Sequence, residues 1–170
     1  MIGGSMFARA ADGSTRTRLR KARRVAARLM PQSGDLNEFV QAVARHRGRR
    51  IVTMAEDLGL DSPTGFWITT SDADYVIHPE DCTADQRAVI ICHELAHMLL
   101  GHQAPEGNLY VQDLAPSINP AVAARFLNRD GFGDAMEVDA ESMATDLTTE
   151  LVRRADEHSL ARDNISARLR

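Results

Sequence analysis

The stretch Thr83-Ala84-Asp85-Gln86-Arg87-Ala88-Val89-Ile90-Ile91-Cys92-His93-Glu94-Leu95-Ala96-His97-Met98-Leu99-Leu100-Gly101-His102 decides how this chain is read. Thr83 followed by Gln86 reads as a capping box that opens a helix. Ala84 to Leu100 contains no Gly or Pro, and Gly101 stands where a helix would end. His93 and His97 are four residues apart, so on that helix they lie one above the other on the same face. Two imidazoles so placed can share one zinc ion (Zn2+). Glu94, straight after the first histidine, can reach a water on that ion and take its proton. The expected chemistry is metal-assisted hydrolysis, most often of a peptide bond. Val89, Ile90, Ile91, Leu95, Met98, Leu99 and Leu100 make the helix apolar on nearly every side, which predicts the central buried helix of the domain. The alternative is that His93 and His97 are core histidines bonded to neighbours, with Glu94 a partner for Arg87. Against it stands the cost of burying three ionisable groups in so apolar a helix without a metal or partners.

At 170 residues, 44% hydrophobic and 26% charged with a net charge of −4, the chain has the composition of one globular domain with a sizeable core. No run approaches the roughly 20 apolar residues that span a bilayer, and no signal-peptide-like run opens the sequence. A cytoplasmic protein with no membrane partner is therefore expected. Cys82 and Cys92 match no zinc-finger spacing and fit a reducing compartment, with Cys92 a small core residue. Arg9, Arg16, Arg18, Arg20, Lys21, Arg23, Arg24 and Arg28 crowd the N-terminal segment, where Asp12 is the only acid before Met30. Such an arm can contact nucleic acid or an acidic partner. However, Leu19, Ala22, Ala26, Leu29 and Met30 form an apolar stripe at helical spacing, and the segment has few aromatics to stack on bases. A docked helix with a solvated basic face is the favoured reading, and direct nucleic-acid binding is not expected.

Residues 1–15, punctuated by Gly3, Gly4, Ser5, Gly13 and Ser14, read as a disordered N-terminus, 16–158 as a single domain, and 159–170 as a polar tail. Within the domain a first helix stops at Pro31. A second opens at Asp35 and Glu38, buries Leu36, Phe39, Val40 and Val43, and ends at Gly48. Ile51–Met54, Phe66–Thr70 and Tyr75–His78 read as strands, the last two a hairpin about the polar turn Ser71–Asp74. A long loop from His102 to Pro120, a short helix from Ala121 to Leu127 and a last helix from about Asp134 to Glu157 complete the order. The fold class is α+β, with a small antiparallel sheet packed on the central helix. Tyr75–His78 is expected to offer an open edge to which an extended substrate peptide can add.

A catalytic zinc needs a third protein ligand and one open position. His102 lies five residues after His97, with Gly101 immediately before it, and so misses the pattern in which a third histidine follows at six with a glycine midway. It can still line the site or donate to a developing oxyanion, or be a helix C-terminal histidine favoured by the dipole. In the last helix, Met136, Ala140, Met143, Ala144, Leu147 and Leu151 form a buried stripe. At about 100° per residue, Glu137 sits roughly 70° from the stripe's centre, Asp139 roughly 90° and Glu141 roughly 110°. Glu137 is thus the carboxylate most nearly aimed at the core. Glu141, one turn on, suits a group that holds the other ring nitrogen of a ligating histidine. The competing role for Glu137 is the N3 position of a capping box begun by Asp134.

His93-Glu94-Leu95-Ala96-His97-Met98-Leu99-Leu100-Gly101-His102, followed by Glu137-Val138-Asp139-Ala140-Glu141-Ser142-Met143-Ala144, resembles the ImmA/IrrE metallo-endopeptidases. The resemblance runs from about Ile51 to Leu151 and includes the hairpin leading into the metal helix, but not the basic N-terminus. Ala96 stands where that family usually has Gly, and Asp146-Leu147-Thr148-Thr149 replaces its usual Leu-Leu-Met-Pro. The resemblance implies a zincin-like, gluzincin-type fold and limited intracellular proteolysis. The implied substrate is a protein, a helix-turn-helix DNA-binding repressor or an antitoxin-like partner. The other function class left open is a regulatory or toxin-component binding module that keeps the fold and the metal without catalysis. An intact Glu94 favours the enzyme, because a binding module has no need of that carboxylate.

Overall fold

A computed structural model describes residues 5–58, 65–103 and 133–168. The elements run α1 (Ser5–Leu29), α2 (Leu36–Arg47), β1 (Arg50–Glu56), β2 (Phe66–Thr69), β3 (Ala73–Pro79), α3 (Ala84–Leu100) and α4 (Asp134–Arg168). The described residues thus form an α+β fold of four helices and one three-stranded sheet. The expected loop from His102 to Pro120, past Gln103, and the expected helix from Ala121 to Leu127 lie outside the described residues.

The helix ends follow local chemistry. Asp35 caps α2 by accepting from the Glu38 N–H at 2.8 Å, and Gly48 closes it in the left-handed region at φ 65°. Thr83 and Gln86 form the expected reciprocal box at the start of α3, with bonds of 3.2 and 2.8 Å, and Gly101 ends it at φ 74°. Two ends differ from the sequence expectation. α1 begins at Ser5, inside the segment read as disordered, because Ala8, Ala10 and Ala11 favour helix more than Gly13 opposes it. α4 continues through the expected polar tail to Arg168. Nothing in Asp134–Arg168 breaks a helix, and Glu150 pairs with Arg153 and Arg154 one turn on.

The sheet is mixed rather than antiparallel, in the order β1-β3-β2. β2 and β3 make the expected hairpin, but β1 pairs parallel to β3. β3 is therefore the central strand, not an edge, and both of its sides are already paired. The expected addition of a substrate peptide to Tyr75–His78 is excluded. The residues of β3 explain the placement. Ala73, Asp74, Val76, Ile77 and His78 are all buried, so both faces of the strand are covered.

Phe39 and Val43 of α2, Ile68, Val76 and Ile77 of the sheet, Cys92 and Leu95 of α3 and Met143 of α4 make the centre of one core. The buried stripe of α4 is the expected one except that Met136 is half-buried. α1 docks through Ala22 and Ala26, with Leu19 and Leu29 partly buried beside them and Met30, just past its end, buried as well. Arg23 fastens it to α4, bonding Ser142 at 3.0 Å and Asp146 at 2.6 Å. Gly34, at φ 69°, turns the chain from α1 into α2 so close to α4 that a Cβ there would overlap the backbone of Leu151 and Ala155. The metal-motif helix is buried only in its second half. From Ile91 to Leu100 it touches the sheet and α4, whereas Val89 is 47% exposed and Asp85 to Arg87 face solvent.

A charged cluster locks the end of α3 to the sheet. Asp74, fully buried, accepts from Arg47 at 2.9 Å, from Arg49 at 3.1 Å and from the Thr69 hydroxyl at 3.0 Å. Arg47 also donates to the Met98 carbonyl at 3.2 Å, and its guanidinium lies 5.3 Å from the centre of the Trp67 ring. The backbone carbonyl next to His97 is thus tied, through one arginine, to a carboxylate on the central strand.

Candidate metal centre

The two histidines and Glu137 meet where α3 crosses α4. His93 and His97 occupy successive turns of α3, and their Nε2 atoms stand 3.0 Å apart. α4 starts at Asp134, so Asp134 is the first helical residue and not the cap. The backbone N–H groups of Met136 and Glu137 bond to the Gly133 carbonyl instead. Glu137 is therefore not the closing residue of a capping box. Its carboxylate turns to α3, with Oε2 3.4 Å from His93 Nε2 and Oε1 3.6 Å from His97 Nε2. Ala96 of α3 and Ala140 and Ala144 of α4 are small and buried, and the two helices pack against each other.

These three residues are the one set of metal-capable side chains among the described residues whose donor atoms converge, all within 4.8 Å of one another. Ligands held at about 2.0 to 2.2 Å around a tetrahedral ion have donor atoms roughly 3.3 to 3.6 Å apart. The two Nε2 atoms stand 3.0 Å apart, and each faces a different oxygen of the Glu137 carboxylate, Oε2 at 3.4 Å from His93 and Oε1 at 3.6 Å from His97, with one donor atom from each of the three residues within 4.8 Å of the others. His97 is almost fully buried, while the His93 side chain is 25% and the Glu137 side chain 44% exposed, so solvent reaches two of the three residues.

Each histidine is backed on its outer nitrogen. Glu141 Oε2 lies 3.4 Å from His93 Nδ1, the position expected from its place one turn beyond Glu137. His97 Nδ1 lies 2.9 Å from His102 Nδ1. His102 is buried with its ring against the Nδ1 side of His97, away from the Nε2 atom that faces His93 and Glu137. The helix cap was the available signal. Gly101 in the left-handed region turns the chain so that the His102 N–H bonds the His97 carbonyl at 3.0 Å, bringing the two rings together.

Burial sets the protonation of the metal-free site. Glu94 is 6% exposed, and desolvation, reinforced by the negative charge of Glu137, pushes its carboxyl up to about 8. Desolvation, with the nearby His93 and His102, pulls His97 down to about 3, so its ring is neutral and ready to ligate. His102 is lowered by burial and by the Arg18 charge, against an opposing effect of Asp139. Burial raises Cys92 to about 11, consistent with a core thiol rather than a ligand.

The Glu94 and His97 shifts predict how the metal-free protein responds to pH. From an ordinary value of 4.5 up to about 8, folded Glu94 keeps a proton that the unfolded chain has lost, so its contribution falls as pH rises. From 6.5 down to about 3, folded His97 stays neutral while the unfolded chain binds a proton, so its contribution falls as pH drops. The two effects oppose between 4.5 and 6.5, and only Glu94 acts from 6.5 to about 8. Urea melts of chelator-treated protein should show stability declining across that upper window. A rise there would contradict the assignment of Glu94.

No family model matches the chain, and no curated protein or solved structure matches it either.

Proposed function

We propose that this protein is a zinc-dependent endopeptidase with a zincin-like, gluzincin-type fold. The observation that carries the reading is the donor triangle of His93, His97 and Glu137, with the buried carboxylate of Glu94 directly after His93 on the same helix. Two imidazoles and one carboxylate are the ligand type of a catalytic rather than a structural zinc. When bound, the ion supplies Lewis acidity to a water and to the substrate carbonyl.

The protein's own groups do the rest. His93 and His97, one turn apart on a rigid helix, and Glu137 from α4 set the geometry of the reacting centre. Glu94 takes the proton of the attacking water and returns it to the leaving amine. A nearby cation favours the ionised carboxylate, which offsets the desolvation that keeps Glu94 protonated in the metal-free protein. The resemblance to the ImmA/IrrE endopeptidases extends this reading to limited proteolysis in the cytoplasm, with a helix-turn-helix repressor or antitoxin-like partner as substrate. No helix among the described residues is long and apolar enough to cross a membrane.

The test is cleavage itself. Zinc-loaded protein is incubated with a repressor encoded beside its gene and with a peptide library, and products are mapped by mass spectrometry. The reading expects internal cuts that stop on chelation and resume when zinc is restored. Absence of any zinc-dependent cut in both would contradict it.

A further inference from the structure

We infer that His102 is a positioning residue for His97: its Nδ1 accepts the Nδ1–H of His97 and so holds the Nε2 lone pair of His97 toward the metal triangle. The inference rests on the metal reading above and deepens it.

The geometry leaves few arrangements. The two Nδ1 atoms are 2.9 Å apart, a hydrogen-bond distance, so one of them carries the proton and the other a lone pair. If His102 donated, His97 would be an acceptor at Nδ1. A neutral His97 would then carry its proton on Nε2, the atom that faces His93 Nε2 at 3.0 Å and the Glu137 carboxylate at 3.6 Å, and it could not ligate. If His97 donates, Nε2 is free to ligate. Only the second arrangement is compatible with His97 as a ligand.

The backbone favours the contact independently of the side chains. His102 follows the left-handed Gly101, and its N–H closes the cap onto the His97 carbonyl at 3.0 Å. The same pair of residues is therefore joined twice, once by backbone and once by rings. His97 and His102 are also 1% and 6% exposed, so water does not readily substitute for the acceptor. His93 is held differently, by the largely exposed Glu141 carboxylate 3.4 Å from its Nδ1. A carboxylate makes a ligating imidazole more basic.

Three proteins test this: wild type, His102→Leu and His102→Asn. The asparagine carboxamide oxygen can stand close to where Nδ1 was and accept the same proton, whereas leucine cannot. Zinc affinity is measured by competition with a chromogenic chelator. His102→Leu should bind about 10- to 100-fold more weakly, the usual loss when the partner of a ligating histidine is removed, and His102→Asn should recover most of it. The tautomer is read separately in metal-free wild type, from long-range 1H–15N NMR correlations of the His97 ring, which should carry its proton on Nδ1. Equal affinity of wild type and His102→Leu, or a His97 proton on Nε2, would overturn the inference. Failure of the wild type itself to bind zinc, with the Nδ1–H tautomer intact, would overturn the metal reading and this use of His102 with it.

Discussion

Glu94→Gln is expected to lower the rate of substrate cleavage by about 10²- to 10⁴-fold while leaving fold and metal content intact. Glutamine has nearly the shape of glutamate but cannot take a proton from water at neutral pH. Glu94 sits on the second, buried half of α3, and in the metal-free protein burial holds it protonated up to about pH 8. The neutral amide therefore replaces a group that is already neutral there, and the stability cost is small. The same variant should also flatten the decline in metal-free stability between about pH 6.5 and 8, because the titrating group is gone. Single-turnover cleavage of a confirmed substrate measures the first effect, and urea melts the second. Unchanged turnover at unchanged metal content would remove Glu94 from the mechanism.

Asp74→Ala should destabilise the protein by about 3 kcal/mol, the lower end of what is lost when one partner of a buried ion pair is removed. Asp74 is fully buried and takes bonds from Arg47, Arg49 and Thr69. The two arginines retain 22% and 28% side-chain exposure, so they rehydrate in part, which places the cost at the low end. The effect should also reach the metal centre. Arg47 bonds the Met98 carbonyl, and without Asp74 that arginine is free to release the end of α3. Denaturant melts check the first expectation. A change within about 0.5 kcal/mol, the range of an ordinary surface substitution, would contradict it.

What could be read from the sequence followed the reach of each signal. Local signals were sufficient where the physics is local. Thr83 with Gln86, Asp35 with Glu38, and the glycines at 48 and 101 mark helix ends because capping bonds span only a few residues. Helical phase was sufficient to point Glu137 toward α3, since an angle about one axis needs no knowledge of the partner. The non-local pairings were not legible. The apolar residues of Ile51–Met54 say that a strand exists, but not that it lies parallel to β3 and makes β3 central. Asp74 reads from the sequence as a residue of a polar turn because its arginine partners, Arg47 at the end of α2 and Arg49 in the connection to β1, come from far earlier in the chain. α4 runs past Glu157 to Arg168 although no apolar stripe continues there, so hydrophobic periodicity gives no sign of its full length.

Metal analysis of native protein beside His97→Ala decides whether His93, His97 and Glu137 hold one metal ion. His97 is the most buried of the three, and its Nε2 is 3.0 Å from that of His93 and 3.6 Å from Glu137. Alanine there removes one of the three converging donor groups. One zinc per native chain and essentially none in His97→Ala are expected at matched protein concentration. Equal zinc in the two proteins would contradict that ligand set.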